Sequence, residues 1–173
     1  MDASTYIEQI APRFEAYYDL TRDDRSLSKP IPLVARFHQR DERYVGSRQF
    51  VAFAREQHEY VLFLPVDGSE ESVREAIALL EEAFHSWIVP DDEHMQSLVR
   101  GVLLLEQECT CLEMIRHYSF YRSFRFGLRG WGHIALVAVD LHHPEEPVTN
   151  KKGKRGREIF RLLDASHDGT GPS

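Results

Sequence analysis

Histidine and carboxylate cluster just past the longest apolar run of the chain, where His142, His143, Glu145 and Glu146 surround Pro144. Imidazole and carboxylate are ligands for divalent cations, and loops at the C-terminal ends of strands are frequent places for such sites. Neighbouring residues at a strand exit point to opposite sides, so His142 and His143 do not readily close on one ion. A polar strand exit halted by Pro144 is the plainer account. Cys109 and Cys111 are the only cysteines. Their C-x-C spacing occurs in thiolate metal sites, yet two ligands leave a tetrahedral shell incomplete, and a disulfide across one intervening residue would be strained. With apolar neighbours they read as two half-buried structural thiols. His117 and His133 flank a glycine-rich turn and could approach one another. No metal ligand set, catalytic residue or cofactor is assigned from these groups.

The motifs of phosphate-binding loops, zinc hydrolases and serine hydrolases are missing: there is no G-x-x-x-x-G-K-[ST], no H-E-x-x-H and no G-x-S-x-G. Gly127, Gly130 and Gly132 lie between a helical pattern and a strand pattern, the reverse of the order a dinucleotide fingerprint needs. Positive φ in a tight turn accounts for them.

Basic and aromatic residues are more suggestive. Tyr118, Phe120, Tyr121, Phe124, Phe126 and Trp131 interleave with Arg116, Arg122, Arg125 and Arg129, and a second basic stretch holds Lys151, Lys152, Lys154, Arg155 and Arg157. Arginine forks and lysines hold phosphate oxygens, and aromatic faces stack on rings. Arg125, Arg129, Trp131, Lys151, Lys152 and Lys154 therefore form the candidate ligand-binding set, on two turns expected to meet over one strand. The competing account makes the aromatics core and the cations its solvated edge. The net charge of -7 hides a segregation, because residues 1–115 hold 11 Lys/Arg against 22 Asp/Glu and residues 116–163 hold 10 against 4. Overall acidity disfavours a general nucleic-acid binder.

The elements that must position these residues follow from periodicity. Ile7, Ile10, Phe14, Tyr17 and Tyr18 predict a helix over 5–20 that kinks or effectively begins at Pro12, followed by a polar connection over 21–29. Alternation over 33–38, 44–53 and 60–66 predicts a β-meander. Ser69 caps a helix that buries Val73, Ile77, Leu80, Phe84 and Trp87 and ends at Pro90. The block 102–105 predicts a covered strand, residues 110–122 a helix, 131–141 a central strand covered on both faces, and 154–163 a short final helix. The expected fold class is α+β: a mixed β-sheet, consisting of a β-meander plus two further strands, backed by helices in the order α-β-β-β-α-β-α-β-α. One domain should span 1–163, with 164–173 a disordered tail. The order invites comparison with metal-dependent nuclease cores, but the strand at 44–53 has no acid and Glu59 has no lysine two positions on. Only the architecture is comparable.

The run from Tyr118 to Trp131 and the run from Thr149 to Lys154, with Phe37, Tyr44 and the Glu59–Tyr60 pair, resemble an uncharacterised prokaryotic family of small cytoplasmic proteins, a domain of unknown function. The resemblance supplies no catalytic residue.

These readings converge on a non-catalytic binding or accessory domain that engages an acidic partner or a phosphorylated ligand through its basic, aromatic-rich surface. The expected partner is a protein or a phosphorylated small molecule. Two other readings are a metal-dependent phosphoester hydrolase, with Glu59 and the His142 cluster as ligands, and a structural subunit of a larger complex. No run reaches the ~20 apolar residues of a membrane span, and the start of the chain has neither a basic leader nor an apolar signal core. The expectation is a soluble, cytoplasmic protein.

Overall fold

The structure is a computed structural model that describes residues 1–37, 58–88, 96–124 and 130–163. Helix α1 (Ala3–Ile10) starts at Asp2, whose side chain accepts from the Thr5 amide at 2.7 Å, and buries Tyr6, Ile7 and Ile10. Pro12 cannot donate to a preceding turn, and the chain tightens there into a 3-10 turn, Ala11–Arg13. The expected helix over 5–20 stops at this point. Its last residues belong instead to strand β1 (Tyr18–Asp24), in the segment expected to begin as helix and continue as a polar connection. Tyr18 satisfies both patterns, because on the strand it packs edge-on against Phe14 and Phe37, with centroids 5.2 and 5.5 Å away. β1 is charged and lies at the sheet edge, where a row of open backbone groups is best guarded by charge.

Strands β2 (Ile31–Phe37) and β3 (His58–Val66) continue the sheet antiparallel, registered Tyr18↔Phe37 and Leu33↔Phe63. Of the β-meander expected over 33–38, 44–53 and 60–66, the first and last strands are β2 and β3, which pair directly with each other, and β1 joins β2 on its outer side; the strand expected over 44–53 lies outside the described residues. Helix α2 (Glu70–Trp87) follows. Ser69 accepts from the Ser72 amide at 3.2 Å, and Glu70 and Glu71 occupy the first turn, where the helix dipole favours anions. The helix crosses to strand β4 (Gln96–Leu105), parallel to β3, and β4 in turn pairs in parallel with β6 (Trp131–Asp140). Between them come the six-residue helix α3 (Leu112–His117) and the short strand β5 (Tyr121–Ser123). The helix expected over 110–122 thus stops at His117, and its last two residues belong to β5, which pairs Tyr121 and Ser123 with His133 and Trp131. Strand β7 (Val148–Thr149) pairs farther along β6, and the expected final helix is a 3-10 turn, Arg157–Phe160. The sheet order is β1-β2-β3-β4-β6-β5, with β7 also on β6.

Both faces of this sheet are covered. α2 lays Val73, Leu80, Ala83 and Phe84 on one face, against Val34, Leu62, Val99, Leu103 and Leu136. α1 and the final 3-10 turn cover the other with Tyr6, Ile10, Phe14 and Phe160, over Leu33, Phe63, Val102 and Val137. Each such Val, Leu, Ile or Phe contributes about 1.5–3 kcal/mol by leaving water. β6 is buried from Gly132 to Val139, as its continuous apolar run requires. Of the turn glycines, Gly130 has φ 81° as expected, whereas Gly132 has another reason: a Cβ there would lie 2.4 Å from the Phe84 ring.

One ion pair is sealed in the second face. Glu59 and Arg100 meet at 2.8 Å with both side chains almost wholly buried, and the Tyr18 hydroxyl donates to the second Glu59 oxygen at 3.0 Å. Burial pushes the Glu59 carboxyl upward, while Arg100 and Tyr18 pull it back. The architecture is α+β with a mixed sheet, the class expected from the sequence. Among the described residues no helix is long and apolar enough to cross a membrane.

Candidate functional site

The second basic stretch is organised by a residue that carries no charge. Asn150 follows β7 and is fully buried. Its backbone amide donates to the Leu136 carbonyl at 3.2 Å, and its Oδ1 accepts from the amides of Leu136 at 3.0 Å and Gly153 at 2.7 Å. Its Nδ2 donates to the carbonyls of Tyr118 at 3.1 Å and Ile134 at 3.3 Å. The side chain extends the β6 ladder beyond two-residue β7 and ties in the end of α3. Gly153 closes the turn so tightly that a Cβ would lie 2.1 Å from the Leu136 carbonyl oxygen. The Thr149–Lys154 run is thus a rigid turn that fixes where its lysines leave the backbone. Asn150 stands outside the charged candidate set, although an Asn side chain commonly closes a turn by bonding to nearby backbone.

Lys151 and Lys154 project from this turn into a cleft of about 780 Å³. Arg116 of α3 and, from the final turn, Arg157 and Arg161 also line it, with Glu145 and Glu146 at the wall. Arg116 pairs with Glu113, one helical turn back. Arg157 and Arg161 share Glu158, at 3.3 and 2.7 Å, and Arg161 Nε also donates to the Glu145 carbonyl at 2.7 Å. These contacts hold the guanidinium groups in place, and their carboxylate partners are exposed side chains, so solvent screens the pairs. Lys151 and Lys154 have no ion-pair partner among the described residues. The cleft therefore carries a net positive field with two lysines open to an incoming anion.

The other expected ligand residues fall elsewhere. Lys152 turns away from the cleft and donates from Nζ to His133 Nε2 at 3.1 Å, while His133 Nδ1 faces the Phe120 carbonyl at 3.3 Å. Burial first, and Lys152 second, hold the imidazole below its ordinary range, which favours the neutral ring. Trp131 is half-exposed at the start of β6, six residues before the point where β7 pairs, or roughly 20 Å along the strand. It does not line the cleft. Arg125 and Arg129 lie outside the described residues, and with them the expected meeting of the two basic turns. Arg116, Arg157 and Arg161 join the set instead. Arg161 was not anticipated, although its i,i+4 spacing from Arg157 across Glu158 is legible in the chain.

The metal readings do not assemble. Glu59 spends one oxygen on Arg100 and the other on Tyr18. It aligns through Leu98 with His133, nine residues before His142, so the two expected ligands stand roughly 30 Å apart on a strand scale. His142 and His143 are exposed, with His143 Nδ1 3.5 Å from Glu145. Among the described residues no three His, Cys, Asp or Glu side chains gather to hold an ion. His117 does not approach His133; its ring faces the Glu113 carbonyl at 2.9 Å. Cys109 and Cys111 are free and half-buried, with their sulfurs 3.4 Å apart.

Fold and cleft together describe an α+β domain with a preformed, cationic cleft beside its last strand. By the family model that matches residues 2–162, the chain belongs to the Domain of unknown function (DUF8052) family. Comparison with curated proteins and with solved structures gives no match.

Proposed function

We propose that this protein is a binding domain whose cleft, bounded by Arg116, Lys151, Lys154, Arg157 and Arg161, takes a phosphorylated small molecule. The observation that carries the reading is the convergence of five cations from a helix, a side-chain-locked turn and a 3-10 turn on one concavity, with both lysines open. Rigid placement matters because an anion then meets its donors without ordering them first. A volume of about 780 Å³ suits a small ligand better than a protein surface. Lysine supplies point charge and the arginines supply forked donors, a combination matched to phosphate oxygens.

Calorimetric titration with inorganic pyrophosphate tests this reading. Charge-assisted hydrogen bonds contribute about 1.5–3 kcal/mol each. Replacing Lys151 and Lys154 together by alanine should therefore weaken binding by about tenfold or more, with an unchanged melting temperature. Failure of the parent protein to bind pyrophosphate, or equal binding by the double variant, would end the proposal. An oligoglutamate peptide of similar charge, run in parallel, separates this reading from an acidic protein partner: tighter binding of the peptide would transfer the cleft to that class.

A further inference from the structure

We propose that Cys109 and Cys111 form an oxidation site that closes reversibly into a disulfide under a hydroperoxide, and that closure loosens α3 and withdraws Arg116 from the cleft. The second half rests on the cleft reading above. The sulfurs already touch at 3.4 Å, so a bond near 2.05 Å needs an approach of about 1.4 Å. A ring closed across one residue is strained, and strained disulfides are the readily reduced ones, which makes the bond a reversible mark.

The two sulfurs sit on backbone of unequal firmness. On the Cys109 side, the Glu106 amide donates to the Val66 carbonyl at 2.9 Å, and Gly68, with φ 88°, is packed so that a Cβ would lie 2.9 Å from the carbonyl oxygens of Gln107 and Glu108. On the other side, Cys111 immediately precedes α3 and has no side-chain cap. Its carbonyl accepts from the Met114 amide at 3.0 Å and the Ile115 amide at 3.4 Å. Closure therefore draws Cys111 toward a fixed Cys109 and pulls on the first turn of a six-residue helix, too short to hold itself together without tertiary support. Arg116 is on that helix and lines the cleft.

The chemistry balances with the peroxide alone. Burial and the adjacent Cys109 push the Cys111 thiol up to about 11, and the first attack is assigned to Cys109 because its side chain, unlike that of Cys111, lines an open cavity. A small hydroperoxide reaches Cys109 through this cavity of about 370 Å³. Its sulfur attacks the terminal peroxide oxygen, the O–O bond breaks, and the alcohol leaves with the thiol proton. The Cys111 sulfur then attacks the resulting sulfenic sulfur, the S–O bond breaks, and the oxygen departs as water with the second proton. Two thiols are oxidised and one peroxide is reduced.

Hydrogen peroxide treatment followed by intact-mass measurement and amide hydrogen exchange tests the proposal on the whole chain. The expected result is a loss of two hydrogens reversed by dithiothreitol, faster exchange across residues 112–117, and pyrophosphate affinity lowered by about fivefold or more. In Cys111→Ser the sulfenic acid on Cys109 should be trapped by dimedone and the affinity loss should vanish. Absence of the disulfide overturns the oxidation site. A disulfide with unchanged exchange in α3 overturns the switch, and changed exchange with unchanged affinity overturns its link to the cleft. If pyrophosphate fails to bind even the reduced protein, the cleft reading falls while mass and exchange still decide the oxidation site.

Discussion

Asn150 places the cleft although it touches no ligand in the proposal. Four hydrogen bonds converge on its side chain in a buried setting. Truncation strands two amides and two carbonyls, and each unsatisfied buried group costs about 1–3 kcal/mol. Asn150→Ala should destabilise the fold by about 2–4 kcal/mol in urea denaturation and weaken pyrophosphate binding as well, unlike the lysine variants. His133 gives a second residue-level test. Its folded value lies below the ordinary 6.5 because the ring is buried and faces Lys152. A depressed value means that the fold prefers the neutral ring. The contribution to stability is then fully present above pH 6.5 and is lost as pH falls through the folded value. Between about pH 7.5 and about pH 5, the melting temperature should fall more for the parent than for His133→Gln. An equal fall in both proteins would show that His133 does not carry the effect.

Among the elements, α2 packs tightly on the sheet where Gly132 leaves room for Phe84. The Phe84 ring is hemmed in by Phe120 at 4.8 Å and by Phe124 stacked at 6.1 Å, so it has little freedom to retreat. Gly132→Ala should cost about 1–3 kcal/mol by overpacking, read from the denaturation midpoint. The same packing explains how much could be read in advance. α2, β3 and β6 have periodicity and end signals that agree, and they fall where the pattern places them; β4 begins at Gln96, six residues before the block that predicted a strand. β1 departs from its pattern, because Tyr17 and Tyr18 continue a helical stripe by spacing alone; only the pairing of Tyr18 with Phe37 reveals the strand. The helix expected over 110–122 holds only from Leu112 to His117, because β6 needed a partner at its Trp131 end and β5 supplied one.

For the molecule as a whole, charge segregation along the chain does not lead to cancellation across the cleft. Arg116 pairs locally with Glu113, and Arg157 and Arg161 pair with Glu158, so the acidic first half leaves Lys151 and Lys154 unneutralised among the described residues. The resulting field is exposed and therefore screened by salt. Pyrophosphate affinity should fall as ionic strength rises from about 0.05 to about 0.5 M, where the screening length shortens to a few ångströms. A salt-independent affinity would place the ligand in a buried site instead.

Residue order alone determined the α+β class, the covered strand at β6, the cap and stripe of α2, and the basic character of the late turns, because each is a local matter of period, capping and composition. Tertiary structure alone decided which cations act together. Lys151 and Lys152 are adjacent in the chain, yet one opens into the cleft and the other is turned onto His133, and Arg116 and Arg161 join Lys151 from 35 and 10 residues away. The reason is physical: a turn locked by a buried side chain sends successive residues to opposite sides, and only the packed sheet determines what waits on each side.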